Sequence, residues 1–499
     1  MTDHLISFSD AQSDLLACSA YLAEGIQSRD GRGQAMISIV PRYLAKGDVD
    51  LAAELANTVD DPFVRDRLLI AVAEKCASAD DEEYALQLVE AIEDFGLQLQ
   101  GRERIGLQLA AVGKFEKARD VADSMEHRDT VLAGIAVKQH EEGNENLALE
   151  TVGEIGFPVS AVQALMSMAS AEIEAANFEH SAKLLEKALA SADEIEHDEE
   201  KIRAFIDIGN AFIAAKRNDR SVETFDKARV FADVLDNIHR DSFLGGVSLG
   251  FLRAGSLELA DRALDSVADK TQIANCLLGF ARVFWQREEK GEALEALEEA
   301  FAILRSQPDA ETRDSKAKLA LFAAIAVQFA GFEKGERGME IAQEIADENE
   351  SMNGLRQIAR ILAIQKNDDL ARHAINSIPD DGQRVFALIA VSDVASTNED
   401  AAKAASLLEE ANALAEEVPQ LASRSAAYNS IANRFVALGD MDRAQAIASA
   451  NLALIATIKD ESSQASSLAD LAESFENAGF APTDADTEII KSILVPNRL

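Results

Sequence analysis

A pattern that recurs thirteen times along this chain of 499 residues constrains its fold most. In each copy an apolar residue precedes a small one, and seven residues later comes a residue typical of a turn. The turn positions are Gly47, Asp80, Gly113, Gly143, Ala176, Lys216, Gly255, Glu288, Ala330, Lys366, Glu399, Gly439 and Gly479. Their spacing of 30 to 42 residues is typical of stacked helical hairpins, since so short a unit cannot bury its apolar face alone. The sequence therefore predicts an all-α solenoid.

The first helix of each unit has the most regular columns. The residue seven before the turn is Gly, Ala or Ser in twelve of the thirteen copies, for example Ala136 and Ala359. The residue just before it is always apolar, and three positions earlier a large apolar residue such as Leu132 is usual. Spacings of three and four place these residues on one helix face, which we expect to be buried.

The second helix has alanine five residues after most turns. Three stretches resemble the tetratricopeptide repeat: 113–118, 176–188 and 439–444. The resemblance extends over residues 33–479, although the proline that follows the second helix in this family is mostly missing and its bulky aromatic residue is usually leucine here. The resemblance implies a right-handed superhelix of about thirteen hairpins, whose first helices line a concave groove that binds a peptide or a partner helix.

The expected organisation is one continuous array with a cap at each end. Residues 1–32 are predicted to form an N-terminal capping helix, with Ser9 to Gln27 as a single helix over the first hairpin. Residues 33–481 form the array, and residues 482–499 form a C-terminal capping helix. Where the interval reaches 40 residues, two extra helical turns fit, so segments 184–202 and 407–422 are predicted to be continuous helices.

The net charge of −40 limits the partners that we expect. It argues against nucleic acid and against an anionic membrane surface, because both attract basic proteins. One interpretation is a basic protein partner attracted to an acidic scaffold. The other is solubility or adaptation to salt, which the small share of lysine (19 Lys, 29 Arg) also fits.

The compartment follows from what the chain lacks. Its first residues do not form a secretory signal, and its most apolar stretch, 319–332, is too short to cross a membrane. Cys18, Cys76 and Cys276 are an odd and scattered set, typical of buried thiols in a reducing compartment. We expect a cytoplasmic protein without membrane insertion.

No catalytic motif stands out in the sequence. Glu194 and His197 have the spacing of a di-metal carboxylate helix, but such a site needs a second copy that the chain lacks. The other histidines look isolated, and we expect no cofactor and no metal. The preferred hypothesis is a non-catalytic interaction scaffold or adaptor. The alternative is an enzyme built on helical hairpins, like an α/α toroid, with an unrecognised inward site. A peptide-sensing DNA regulator would need a basic module that is not found before the first hairpin.

Two polar pairs are the candidate partner-binding residues. Groove positions are expected one residue after the large apolar column and four further on, and most of them are aliphatic. Arg356 and Arg360 differ, as do Asn429 and Asn433 two units later. Such pairs can bind a carboxylate or a peptide backbone. Because the unit between offers Asp393, the Lys/Asn clamp that this family uses for chaperone tails is not reproduced.

Overall fold

The computed structural model describes residues 4–79, 81–307 and 315–495, and within these ranges it contains helices and no strand. In chain order the helices are α1 (Phe8–Ala11), α2 (Leu15–Gly25), α3 (Arg29–Lys46), α4 (Val49–Asn57), α5 (Pro62–Ser78), α6 (Glu82–Glu90), α7 (Phe95–Ala111), α8 (Phe115–Asp123), α9 (Asp129–Glu141), α10 (Glu145–Gly153), α11 (Pro158–Glu174), α12 (Phe178–Asp193), α13 (Asp198–Ala214), α14 (Asn218–Val234), α15 (Arg240–Arg253), α16 (Leu257–Leu264), α17 (Lys270–Gln286), α18 (Lys290–Arg305), α19 (Ser315–Gly331), α20 (Gly335–Glu344), α21 (Glu348–Ile364), α22 (Asp368–Asn376), α23 (Asp381–Thr397), α24 (Ala401–Ala415), α25 (Leu421–Ala437), α26 (Met441–Ile455), α27 (Glu461–Ala478) and α28 (Asp484–Leu494). The all-α prediction is confirmed.

A left-handed residue separates the two helices of a hairpin. Gly439 has φ 81°, and the next amide, that of Asp440, donates to the carbonyl of Phe435 five residues back. This Schellman arrangement ends the first helix and turns the chain sharply. Eleven of the predicted turn residues have this backbone conformation. Ala330 does not, because α19 continues to Gly331 and Glu333 (φ 61°) makes the turn instead, while Asp80 lies outside the described residues.

The long intervals lengthen the second helices. Helix α10 has 9 residues, whereas α12 has 16, a difference of seven residues or two turns. The prediction of continuous helices over 184–202 and 407–422 is wrong. Helix α12 ends at Asp193 and α13 begins at Asp198, while α24 ends at Ala415 and α25 begins at Leu421. The extra turns are added before the loop and do not replace it.

The helices form two compact units, one from residues 102–332 and the other from residues 1–101 with 333–499. Within each unit, consecutive first helices pack side by side, as α9 packs on α11 and α21 on α23. The small-residue column lies at these contacts: Ala136 and Ala359 are fully buried, as are the apolar residues before them, Ile135 and Ile358. The predicted buried face of the first helices is therefore the core of each unit.

The N-terminal residues differ from the predicted single capping helix. Ser13 and Asp14 break the segment into α1 and α2, because the Asp14 side chain accepts a hydrogen bond from the Ala17 N–H and starts a new helix. Helix α3 begins at Arg29, before residue 32, because Ser28 caps it. Helix α2 packs along α27, and the buried Ser19 hydroxyl donates to the Ala465 carbonyl at 2.7 Å.

Helix α27 also packs on α3, as one first helix packs on the next. Arg42 of α3 forms ion pairs of 2.7 Å with Asp470 and Glu473 of α27. Helix α2 therefore takes the place beside α27 that a second helix takes in the other hairpins. Helix α28, which follows α27 in the chain, packs instead on α26 and α2.

In the described part of the chain, no helix combines the length and apolarity that crossing a membrane requires.

Candidate functional site

First helices α7, α9 and α11 line a cleft of about 410 Å³. Its wall residues are mostly small or aliphatic: Leu107, Ala111, Ala133, Gly134, Val137, Ala164 and Ser167. A β-carbon built on Gly134 would come within 2.6 Å of Leu107 Cδ2, so the leucine lies directly on the backbone of the next helix. Among the described residues that line the cleft, the acidic one, Glu141, and the basic one, Lys138, form an ion pair at 3.2 Å.

This surface can accept an apolar side chain, and few of its described lining residues have reactive groups. Ala133 and Val137 lie at the two groove positions expected for their unit. The cleft has no cysteine and no histidine among its described lining residues, and its one acid is paired with a lysine.

Burial raises the pKa of Cys18 to about 12 and that of Cys76 and Cys276 to about 11, so all three remain thiols at neutral pH.

The predicted arginine pair lies on α21. Arg356 is half-buried, and its Nη2 donates to the Asn353 side chain at 3.0 Å on the same helix. Arg360 lies one turn further along and is exposed, next to an exposed apolar residue, Ile364. The structure places both guanidinium groups on the same helix, four residues apart.

The predicted asparagine pair does not form one surface. Asn433 of α25 is exposed, but Asn429 is buried and accepts a hydrogen bond of 2.8 Å from Asn451 of α26. The expected place of Asn429 in the groove is therefore wrong. Its short amide is covered by the second helix, whereas the longer Arg356 at the equivalent position of α21 is only half-buried. Asp393 of α23 pairs with Arg434 through both oxygens, at 2.9 and 3.0 Å.

Glu194 and His197 lie in the loop between α12 and α13. The di-metal motif needs both side chains on one helix face, and the helix break between them removes that arrangement. Both residues line a cavity of about 700 Å³ between three loops. No group of three or more potential metal ligands occurs in the described part of the chain.

Two histidines that look isolated in the sequence meet in the structure. His140 of α9 and His180 of α12 lie on either side of Glu172, at 3.0 and 3.4 Å from its oxygens. His180 also contacts Glu145 at 2.8 Å. The repeat spacing could have predicted that the two histidines come close, because each lies within four residues of the turn of its unit and the two units are neighbours.

The histidines and glutamates of this cluster shift one another's pKa values. The hydrogen bond to Glu145 raises the pKa of His180 against the effect of partial burial. Partial burial acts to raise the pKa of Glu172, but the hydrogen bond from Asn177 and the two histidines hold it below its usual value. His140 Nδ1 is buried and has no hydrogen-bond partner among the described residues. The cluster joins two neighbouring hairpins at their turns.

No protein family and no curated protein matches the sequence. Several solved structures are similar to this chain. The kinesin-light-chain protein of Podosopora anserina with TPR-like repeats is 16% identical, covers 44% of this chain and 97% of its own, and has a TM-score of 0.24. The apo form of RapI is 12% identical, covers 70% and 95%, and has a TM-score of 0.30. The quorum sensor NprR of B. thuringiensis is 13% identical, covers 72% and 100%, and has a TM-score of 0.25. The stacked helical hairpins of the chain itself make it an all-α repeat protein.

Proposed function

We propose that this protein is a non-catalytic interaction scaffold whose first helices bind a segment of a protein partner. The observation that supports this proposal is the cleft on α7, α9 and α11, whose floor is aliphatic and close-packed. An extended peptide or a helix can place one apolar side chain there, and its burial would contribute about 1.5–3 kcal/mol. The proposal includes a soluble, cytoplasmic setting and no catalysis.

A library of displayed random peptides, selected on the purified protein, tests this proposal. In the Val137→Glu variant a carboxylate stands in the cleft, so selected peptides should bind at least about ten-fold more weakly. Leu147 of α10 belongs to the same hairpin, is 45% exposed and lies outside the cleft. Leu147→Glu makes the same change of charge and should leave binding intact. Equal loss in both variants, or in neither, would contradict binding in the cleft.

We further propose Arg356, Arg360 and Asn433 as polar contacts for the carboxylate or backbone of a bound segment in the other unit. Desolvated arginine–carboxylate contacts contribute about 1.5–3 kcal/mol each. The Arg356→Ala, Arg360→Ala double variant should therefore weaken binding of peptides with a free carboxyl terminus, and salt should have a modest effect. Arg262 and Lys270 are exposed and provide a charge-matched double alanine control. Unchanged affinity with a steep loss at high salt would favour a basic partner on the acidic surface instead.

A further inference from the structure

A cavity of about 700 Å³ lies in the unit of residues 102–332 and shares no lining residue with the cleft. Three loops form it, those that connect α8 to α9, α10 to α11 and α12 to α13. It is lined by the N-terminal ends of three first helices, and none of the residues proposed for partner binding above contributes to it. Whether it binds a ligand is therefore independent of the proposed function.

One wall of the cavity is aromatic and held in place. Phe157 is 58% exposed, although an aromatic ring of this size is usually buried. Its backbone N–H donates to Asp129 Oδ2 at 2.6 Å, and Asp129 is itself buried. The His127 ring lies 6.2 Å from the Phe157 ring, centre to centre. The buried carboxylate thus fixes the loop that presents Phe157 to the cavity.

Three glutamates also line the cavity. Glu194, Glu196 and Glu200 are exposed, and none of the three forms an ion pair with a described residue. Their neighbour Asp193, just outside the cavity, pairs with Lys227 at 2.8 Å. No lysine or arginine lines the cavity in the described part of the chain. The aromatic ring and the carboxylates therefore face a common space that lacks a cation.

We propose that this cavity binds the side chain of an arginine in a basic protein partner. A planar guanidinium can stack on an exposed aromatic face while its N–H groups donate to carboxylates. The cavity exceeds the size of one such side chain, so the neighbouring backbone of the partner can enter as well. A metal ion is a poor fit, because no three potential metal ligands come together among the residues that the structure describes. The net charge of −40 would attract such a partner over a longer range.

Calorimetry with three synthetic peptides tests the proposal. The peptides share a neutral glycine–serine sequence and carry arginine, lysine or citrulline at the centre. We expect the arginine peptide to bind best and the citrulline peptide, which has the shape of arginine without its charge, to bind at least about ten-fold more weakly. Equal binding of arginine and citrulline peptides would overturn the proposal. So would spermidine binding more tightly than the arginine peptide, since that identifies a small organic cation as the ligand.

Matched variants separate this site from general attraction to an acidic protein. Glu194→Gln with Glu196→Gln should weaken the arginine peptide about ten-fold or more. Glu416 and Glu417 lie in the loop between α24 and α25, are close together in sequence and are also exposed. Their conversion to glutamine changes the net charge equally and should leave binding unchanged. Phe157→Leu keeps an apolar side chain but loses the aromatic face, so it should weaken binding about 2- to 5-fold. Equal effects of the two double variants would contradict a localised site.

Discussion

Gly209 of α13 lies against the ring of Phe225 on α14. A β-carbon at Gly209 would come within 2.7 Å of that ring, which is fully buried. Gly209→Ala should therefore lower the free energy of unfolding by about 1–3 kcal/mol, although alanine favours helix more than glycine does. Chemical denaturation measures the difference.

Gly153 provides the control for this prediction. It is the last residue of α10 and is exposed, and no atom lies within 4 Å of the position that a β-carbon would take. Gly153→Ala should raise the free energy of unfolding by about 0.5–1 kcal/mol, because it restricts the unfolded chain. If Gly209→Ala stabilises the protein as Gly153→Ala does, the close approach of α13 and α14 is wrong.

His180 makes the stability of the protein depend on pH. Its pKa is raised, so its contribution to stability is complete below the ordinary value of 6.5 and is lost as the pH rises through the raised pKa. The pKa of Glu172 is lowered, so its contribution is present above its ordinary value of 4.5 and is lost as the pH falls through the lowered pKa. Both contributions are present between those two ordinary values.

The His180→Gln variant tests this sign. Its melting temperature should fall furthest below that of the wild type in the mildly acidic window and approach it at alkaline pH. His373→Gln changes an exposed histidine that makes no ion pair with a described residue, and it is the control for the general effect of replacing a histidine. A constant difference for His180→Gln would contradict the proposed link between the two hairpins.

Helix α2 packs on α27, although the two helices are more than four hundred residues apart in the chain. It covers α27 on the side where Ser19 donates to Ala465. Removing residues 1–27 would expose apolar residues of α27 such as Leu468, which is fully buried in the intact protein. We expect faster amide hydrogen exchange in α27, with α9 and α11 unchanged. Unchanged exchange in α27 would mean that α2 is not its essential partner.

The sequence predicted the helices and turns well because both depend on local patterns. The turn column identified residues that adopt a left-handed backbone, even where Lys216 or Glu399 takes the place of glycine. The error at Ala330 has a simple cause: shifted by three residues, the pattern still finds small residues, since Ala323 and Ala326 both fit the column. The pairing of α2 with α27 could not be predicted, because repeat spacing says nothing about contacts between the ends of the chain.

The candidate sites were harder to predict than the elements. The aliphatic cleft follows from the repeat, since Ala133 and Val137 lie at expected positions. The burial of Asn429 does not, because it depends on Asn451 of the neighbouring helix. The loop cavity was not predicted either. Glu194 and His197 were noted for their spacing, while Phe157, which lies 37 residues before Glu194, gave no signal.

Across the described part of the molecule, many of the few lysines and arginines already form ion pairs with carboxylates. Several join second helices of successive units, as Arg220 does with Glu186, Lys227 with Asp193, and Arg372 with Glu410. These pairs lie on exposed surfaces, so each contributes little to stability. The acidic excess is left to solvent or to partners. This distribution supports an interaction protein whose acidic regions and apolar cleft meet different features of a partner.

Hydrogen–deuterium exchange with and without a selected peptide ligand tests whether the first helices bind the partner. If first helices bind the partner, exchange should slow at α7, α9 and α11 while α8, α10 and α12 of the same hairpins remain unchanged. The Val137→Glu variant should lose this protection, and Leu147→Glu should keep it. Protection confined to the second helices would contradict recognition by the first helices and with it the proposed function.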